Sequence, residues 1–255
     1  MAGRLEGRIA LVSGSTRGIG RSIAELFAAE GAKVAVTGRT VERGQKVVDG
    51  IRASGGDAEF FALDITDEAS VRDVVAAVVD RFGGLSTLIN NAAPTATVAT
   101  TVKPLHEYTT EEWSTILTGT LTGNVFWASK YAWPHLQAAE GAAIVNISSG
   151  QSTKGYTGFG AYAAAKGGMN AVTRVLAVEG APHGIRCNAI IVGRVVSGRG
   201  DSGVGLTGDR IGGIGNPMQI AATALFLASG ESSFINGDLT TADGGVQMDG
   251  DVHMG

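Results

Sequence analysis

Short apolar runs alternate along the chain with longer segments of helical periodicity. The apolar runs occupy residues 9–13, 34–37, 59–62, 87–90, 143–147, 186–191 and 239–242. Between them, apolar residues recur at every third or fourth position, most clearly in the valine-rich stretch 71–82. Strands that alternate with helices favour right-handed βαβ units and a parallel sheet. The pattern predicts an α/β protein with a doubly wound, seven-stranded parallel sheet and helices on both faces.

Polar residues and glycines predict where several of these helices begin and end. The helix over 71–82 is expected to start near Thr66. Thr109 stands three residues before Glu112, which is the spacing of a capping box and predicts a helix start. Gly31 follows the apolar positions within 19–27, where a left-handed glycine commonly ends a helix.

A glycine-rich turn separates the first predicted strand from the first predicted helix. Its sequence is Gly14, Ser15, Thr16, Arg17, Gly18, Ile19 and Gly20. Unpaired N–H groups and the helix dipole favour an anion at a helix start, so the turn predicts a phosphate site. Gly14 would permit the tight turn, and Gly18 and Gly20 would allow close approach of a pyrophosphate and close helix packing. The spacing is a variant of the general dinucleotide fingerprint, and its place between a strand and a helix makes it informative.

A tyrosine and a lysine one helical turn apart are the strongest catalytic candidates. A helix turns once in ~3.6 residues, so Tyr162 and Lys166 should lie on one face. A phenol has an ordinary pKa of about 10, and a neighbouring cation would favour the phenolate and ease proton exchange. Ser149 follows the apolar run 143–147 and would bring a hydroxyl to the sheet edge. Taken alone, Tyr162 and Lys166 could be ordinary residues of a helix surface, and Ser149 could be only a turn residue at the end of a strand.

Further motifs follow the later apolar runs. They lie at residues 64–65, 90–92, 226–229, 235–237 and 243–245. Together with the glycine turn and the Ser-Tyr-Lys set, they resemble the short-chain dehydrogenase/reductase family over essentially the whole chain. The branch most similar to this chain is the 3-oxoacyl-carrier-protein reductase-like one.

The resemblance implies a fold and an assembly. The expected fold is a single-domain Rossmann fold over residues 1–255, and the expected assembly is a homotetramer. A flexible lid over the substrate is expected at about 194–216, where residues 197–215 are rich in glycine. A plain disordered loop is the alternative for that segment.

The resemblance also implies hydride transfer between a nicotinamide and a ketone or secondary alcohol, with a 3-oxoacyl thioester as one candidate substrate. Tyr162 would be the general acid, Ser149 would bind the carbonyl oxygen, and Lys166 would bind the nicotinamide ribose. Asp64 would accept from the adenine amino group. The complete cofactor set comprises Gly14, Ser15, Thr16, Arg17, Gly18, Ile19, Gly20, Arg39, Asp64, Ile65, Asn91, Ala92, Tyr162, Lys166, Gly193 and Val195.

The residues after the second predicted strand favour NADP(H) over NAD(H). Family members that use NAD usually carry an aspartate where this chain has Gly38, and that carboxylate would repel the 2′-phosphate of NADP. Arg39 follows directly, and Arg17 is available in the glycine turn. Two guanidinium groups suit a phosphate, although both could also be solvated surface residues.

Three departures from the family pattern leave other functions open. Thr120 occupies the place of the family's catalytic Asn, Val192 replaces a proline, and Ala93 replaces a glycine. Thr120 could hold the proton-relay water less well, or Asn124 could hold it instead. An NADP-binding sensor or assembly protein with little turnover is therefore one alternative. An epimerase or dehydratase that retains its cofactor is another.

Composition excludes several other classes of protein. The 255 residues are 44% hydrophobic, and the net charge of −4 with scattered basic residues does not suit nucleic acid. No long apolar stretch predicts a membrane span, so we expect a cytoplasmic enzyme with a small-molecule substrate. The four histidines are far apart and predict no metal site. The single cysteine, Cys187, lies in an apolar run and is interpreted as buried and inert.

Overall fold

The computed structural model describes residues 3–196 and 214–245. Its strands form one parallel sheet in the order β3-β2-β1-β4-β5-β6-β7. The strands are β1 (Ile9–Val12), β2 (Lys33–Gly38), β3 (Asp57–Ala62), β4 (Thr87–Asn90), β5 (Ala143–Ile147), β6 (Arg186–Val192) and β7 (Leu239–Ala242). The predicted Rossmann-like α/β fold is confirmed, and β2 and β3 begin slightly earlier than expected.

Helices connect the strands on both faces of the sheet. They are α1 (Gly18–Ala29), α2 (Val41–Ala53), α3 (Glu68–Phe82), α4 (Thr95–Thr100), α5 (Thr110–Leu117), α6 (Ala128–Gln137), α7 (Gly160–Gly180) and α8 (Pro217–Ala228). Between α5 and α6, residues Thr118–Trp127 are π-helical and are called the π segment below. A π-helix closes i→i+5 hydrogen bonds and is rare at this length.

The core has two layers because adjacent strand residues point to opposite faces. Val12 packs with residues of α1, α2 and α8 on one face, whereas Leu11 packs with residues of α3, α6 and α7 on the other. The strand order reverses between β1 and β4, since β1 pairs with β2 on one side and with β4 on the other. In sheets of this kind ligands bind in the crevice at that switch point.

Local hydrogen bonds set the helix boundaries. Thr109 and Glu112 form the predicted capping box, with hydrogen bonds of 3.1 and 2.8 Å. Gly31 has the expected left-handed φ of 90° just after α1. The expected start of α3 at Thr66 is wrong, because Thr66 donates its N–H and hydroxyl to Asp64 in a turn, and Asp67 caps the helix instead.

The predicted lid falls largely on residues 197–213, which lie outside the described residues. The flanking residues are described. Val195 and Gly215 form a parallel bridge, with Val196 N–H donating to the Gly215 carbonyl at 2.9 Å. The two ends of the predicted lid are therefore held side by side.

Candidate active site

The turn after β1 has the backbone that a pyrophosphate site needs. Gly14 and Gly18 have φ values of 65° and 54°, which favour glycine. A Cβ at Gly18 would meet nothing within 4 Å, so this position faces open space. A Cβ at Gly20 would lie 2.4 Å from the Gly14 carbonyl oxygen, so close packing requires glycine there. The first turn of α1 contains no acidic residue, and Arg17 stands at its N-cap. These features fit a dinucleotide.

Side chains next to the turn hold it in place. The buried Ser15 hydroxyl donates to the Val12 carbonyl and accepts from Thr37 N–H, both at 2.8 Å. The Thr37 hydroxyl also donates to the Val12 carbonyl at 2.9 Å. The side chain of Ser15 therefore stabilises the conformation of the turn. Thr37 has a role that sequence reasoning missed, although a buried hydroxyl at the end of a strand was a usable signal.

The loop after β4 is joined to the same turn. The Asn91 amide donates to the carbonyls of Ser13 and Gly14 at 2.9 and 3.1 Å. The Ser13 hydroxyl accepts the N–H groups of Asn91 and Ala92 at 2.8 and 3.0 Å. Asn91 is one of the predicted cofactor residues, and its amide group here holds the backbone of the turn. Ser13 is a second residue that sequence reasoning missed.

The predicted adenosine end of the site carries two exposed arginines. Arg17 donates to the Thr95 hydroxyl at 2.7 Å, and Arg39 forms no ion pair with any described residue. The pKa of Asp64 is lowered, chiefly by its hydrogen bonds from Thr66, with a smaller effect of Arg39. A Cβ at Gly38 would lie 2.7 Å from the Thr16 methyl group, so Thr16 occupies the space beside Gly38.

The remaining predicted cofactor residues lie around these loops. Ile19 is in the first turn of α1, and Ile65 follows β3. Gly193 follows β6 and packs so closely on Asp243 that an added Cβ would lie 2.5 Å from the Asp243 Cβ. Val195 stands at the start of the predicted lid.

The structure brings Ser149, Tyr162 and Lys166 together beyond the end of β5. Lys166 is 2% exposed, its Nζ donates to the Ile147 carbonyl, and this nitrogen lies 5.6 Å from the Tyr162 ring centre. A side-chain hydrogen bond joins Ser149 to Tyr162. Ser149 also accepts from Gln151 N–H at 3.3 Å, so it caps a short turn as well. Ser149 and Tyr162 are therefore within hydrogen-bond reach of each other, and Lys166 lies beside the tyrosine ring.

Burial controls the ionisation of this set. Desolvation raises the pKa of Tyr162 to about 12, although the hydrogen bond with Ser149 opposes the rise. Desolvation also lowers the pKa of Lys166 to about 7. Burial opposes the expected effect of the lysine, because it lowers the pKa of Lys166 and penalises the phenolate of Tyr162, and the promotion of the phenolate by the cation stays a prediction. Tyr162 is a protonated acid at neutral pH.

Thr120 and Asn124 lie in the π segment, not in the α-helix expected there. Thr120 is fully buried, and among the described residues its hydroxyl has no hydrogen-bond partner. The Asn124 carbonyl oxygen accepts from the Ser13 hydroxyl at 2.6 Å. The two side chains therefore have different surroundings, because the Asn124 side chain is hydrogen-bonded to Ser13, next to the glycine turn.

The described residues contain no group of three His, Cys, Asp or Glu side chains that could hold a metal. Cys187 is buried, which raises the pKa of its thiol, and its sulfur accepts from Asn146 at 3.6 Å. None of the described helices has the length and apolar character needed to cross a membrane.

Known proteins match this chain over almost its whole length. The family model described as "Enoyl-(Acyl carrier protein) reductase" matches residues 14–247. The chain belongs to the short-chain dehydrogenase/reductase family. Members of this family bind NAD or NADP and transfer hydride between alcohols and ketones, so the chain is an oxidoreductase that acts on CH–OH groups.

Two relatives and one solved structure illustrate the match. The 2,5-dichloro-2,5-cyclohexadiene-1,4-diol dehydrogenase LinX of Sphingobium indicum is 36% identical, over 96% of this chain and 98% of its own. The 3-oxoacyl-[acyl-carrier-protein] reductase FabG of Vibrio cholerae is 34% identical, over 96% and 99%. A dehydrogenase/reductase structure from Sinorhizobium meliloti 1021 has a TM-score of 0.83 at 30% identity, over 95% and 96%. The predicted family and its reductase-like branch are confirmed.

Proposed function

We propose that this protein is an NADP(H)-dependent reductase of ketones, with the reverse oxidation of secondary alcohols at the same site. The observation that carries the proposal is the convergence of Ser149, Tyr162 and Lys166 at the end of β5. One domain would hold both the cofactor and the catalytic residues. Activity in the cytoplasm stays a prediction.

Each catalytic residue has a separate role in the proposed reduction. Bound NADPH would supply the hydride for the carbonyl carbon. Tyr162 donates its phenolic proton to the carbonyl oxygen, and Ser149 donates a hydrogen bond to the same atom as charge develops. Lys166 has a pKa of about 7, so a proton can enter and leave it near neutral pH. It lies beside the Tyr162 ring and would bind the ribose hydroxyls.

The surroundings of Gly38 support NADP(H) over NAD(H). Thr16 fills the space in which an acidic side chain at position 38 would begin. Arg39 is exposed and follows Gly38 directly, so it could bind a 2′-phosphate, and the exposed Arg17 could join it by leaving its hydrogen bond to the Thr95 hydroxyl. Hydrogen bonds from Thr66 hold the Asp64 carboxylate and lower its pKa.

Arg39→Asp tests this preference. We expect NADPH to lose at least about tenfold in catalytic efficiency relative to NADH, the factor for one charge-assisted hydrogen bond. Arg43→Asp is the matched control, because it makes the same change of charge at an exposed position of α2. Equal efficiency with both cofactors in the unmutated protein would contradict the proposal.

The substrate class is a ring ketone, a linear ketone or a 3-oxoacyl thioester. The similarity to LinX, a dehydrogenase of a cyclic diol, supports the first of these, and the similarity to FabG, a 3-oxoacyl-[acyl-carrier-protein] reductase, supports the last. NADPH oxidation with a panel of cyclic ketones, quinones and β-ketoacyl thioesters would choose among them. Tight NADPH binding without oxidation of any of them would favour the second candidate function, a sensor or assembly protein. The buried Thr120 hydroxyl, which has no partner among the described residues, supports that candidate.

A homotetramer is the proposed assembly. Apolar side chains on the π segment and α7 support it, because Phe126 is 55% exposed, Val175 52% and Val178 75%. Sedimentation should give about four times the mass of one chain. Val178→Glu should lower this mass if α7 lies in an interface, and a concentration-independent monomer would contradict the proposal.

A further inference from the structure

The π segment contacts three places at the border of the nucleotide crevice: the loops after β3 and β4 and the end of β1. A Cβ at Gly123 would lie 1.6 Å from the Ile65 carbonyl oxygen, and a Cβ at Gly119 would lie 3.0 Å from the Pro94 ring. The backbone of the segment therefore lies directly against the loops after β3 and β4. Its third contact is the hydrogen bond between Asn124 and Ser13, which reaches the end of β1.

The hydrogen bonds of Ser13 fix the direction of this third contact. Its hydroxyl oxygen accepts the N–H groups of Asn91 and Ala92, which occupy both lone pairs. Its proton must therefore be donated. The acceptors in reach are the Asn124 carbonyl oxygen at 2.6 Å and the Ile89 carbonyl at 3.1 Å. Asn124 is the better acceptor because its oxygen is nearer by 0.5 Å, and that oxygen must therefore face Ser13.

This arrangement connects Asn124 to the glycine turn through buried groups. Asn124 orients the Ser13 hydroxyl, and the hydroxyl holds the backbone of Asn91 and Ala92. The Asn91 side chain then holds the carbonyls of Ser13 and Gly14. Asn124 and Ser13 are both at most 2% exposed, so water cannot readily replace the bond.

We propose that Asn124 is a positioning residue for cofactor binding. It would act by accepting the Ser13 proton and thereby fixing the turn that receives the pyrophosphate. Asn124 bonds to Ser13, which immediately precedes the turn, whereas Tyr162 and Lys166 both lie in α7, so cofactor affinity and the chemical step should respond separately. The inference rests on the proposed nicotinamide-cofactor function.

Asn124→Leu removes the acceptor at nearly constant volume. We expect the Kd of both NADPH and NADH, followed by nicotinamide fluorescence, to rise at least about fivefold, because one buried hydrogen bond is lost. The kcat at saturating cofactor should stay within about twofold, since no group at the reacting atoms changes. Ser129→Ala is the matched control: Ser129 is buried in α6 and its hydroxyl has no partner among the described residues, so cofactor Kd should not change.

Two further variants separate positioning from general loss of packing. Asn124→Asp keeps an acceptor oxygen, and it should bring the Kd back to within about twofold of the unmutated value. In a Ser13→Ala background, Asn124→Leu should have no further effect on Kd, because the two residues act through one bond. Should Asn124→Leu fail to fold, Asn124→Ala carries the same expectations.

The outcomes are distinguishable. Unchanged Kd in Asn124→Leu, or additive effects of the Ser13 and Asn124 substitutions, would overturn the positioning role and leave the proposed function intact. A fall in kcat with unchanged Kd would overturn it too. An unmutated protein that binds neither NADPH nor NADH would overturn both the proposed function and this inference.

Discussion

At the nucleotide end of the crevice, the hydroxyls of Ser13, Ser15 and Thr37 all have hydrogen-bond partners on neighbouring strands or loops. At the predicted catalytic end, and within the described part of the chain, the Thr120 hydroxyl has no partner and no carboxylate pairs with the buried Lys166. Satisfied polar groups fix one conformation, whereas buried groups without full compensation shift their pKa values. The nucleotide end is thus suited to positioning, and the catalytic end is suited to proton transfer.

Among the tests of this difference, Tyr162→Phe should have the largest effect. Removal of the acid should lower kcat by about 10² or more, the usual contribution of a positioned general acid. NADPH affinity should be nearly unchanged, because the hydrogen bonds of the glycine turn are intact. Stopped-flow oxidation and fluorescence titration measure the two effects. Retention of most activity would place the proton donor elsewhere.

Gly20→Ala tests the nucleotide end in the same way. The added Cβ would lie 2.4 Å from the Gly14 carbonyl oxygen, so we expect a loss of about 1–3 kcal/mol of stability from overpacking and weaker cofactor binding. Gly50→Ala is the matched control, because a Cβ there meets nothing within 4 Å and should stabilise α2. Equal melting temperatures for the two variants would refute the close packing.

The titration of Lys166 should make the free energy of unfolding depend on pH. The folded pKa is about 7 and the ordinary value is 10.5, so between these limits the unfolded chain binds more protons. The free energy of unfolding should therefore rise with pH above 7, by at most about 1.4 kcal/mol per pH unit from this group. Lys166→Met should remove that part of the slope. Denaturant unfolding at several pH values measures it, and parallel curves for the two proteins would rule it out.

Thr120→Asn should produce the smallest effect. An amide could hold the relay water that the hydroxyl holds less well, so kcat should rise modestly at neutral pH with little change in KM for NADPH. Thermal melts separate this from simple packing, since an oversized side chain would lower Tm without a kinetic gain. An unchanged or lower kcat would argue against the relay.

Strand positions, the doubly wound parallel sheet and the family could be predicted from the sequence, because apolar periodicity and the order of the motifs indicate them. The capping box at Thr109 and the helix end at Gly31 could also be predicted from the sequence, since both depend on neighbours within four residues. The start of α3 could not be predicted in this way, because the turn between Asp64 and Thr66 competes with the helix.

The candidate site was predictable in its residues but not in its ionisation. The pairing of Tyr162 with Lys166 followed from helical spacing, whereas their pKa values depend on burial by distant elements. The contacts of Ser13 lie more than 70 residues away in sequence, so no local pattern reveals them. The π segment was also missed, because helical periodicity alone does not distinguish i→i+4 from i→i+5 bonding.

The π segment has a consequence for how this chain is compared with its relatives. Adjacent residues of an α-helix are about 100° apart around its axis, from 3.6 residues per turn. A relative with one residue fewer between Thr118 and Trp127 could keep α5 and α6 in place while turning a different set of side chains toward the crevice. Chain length in this segment, as well as residue type, can therefore change the lining of the site during evolution.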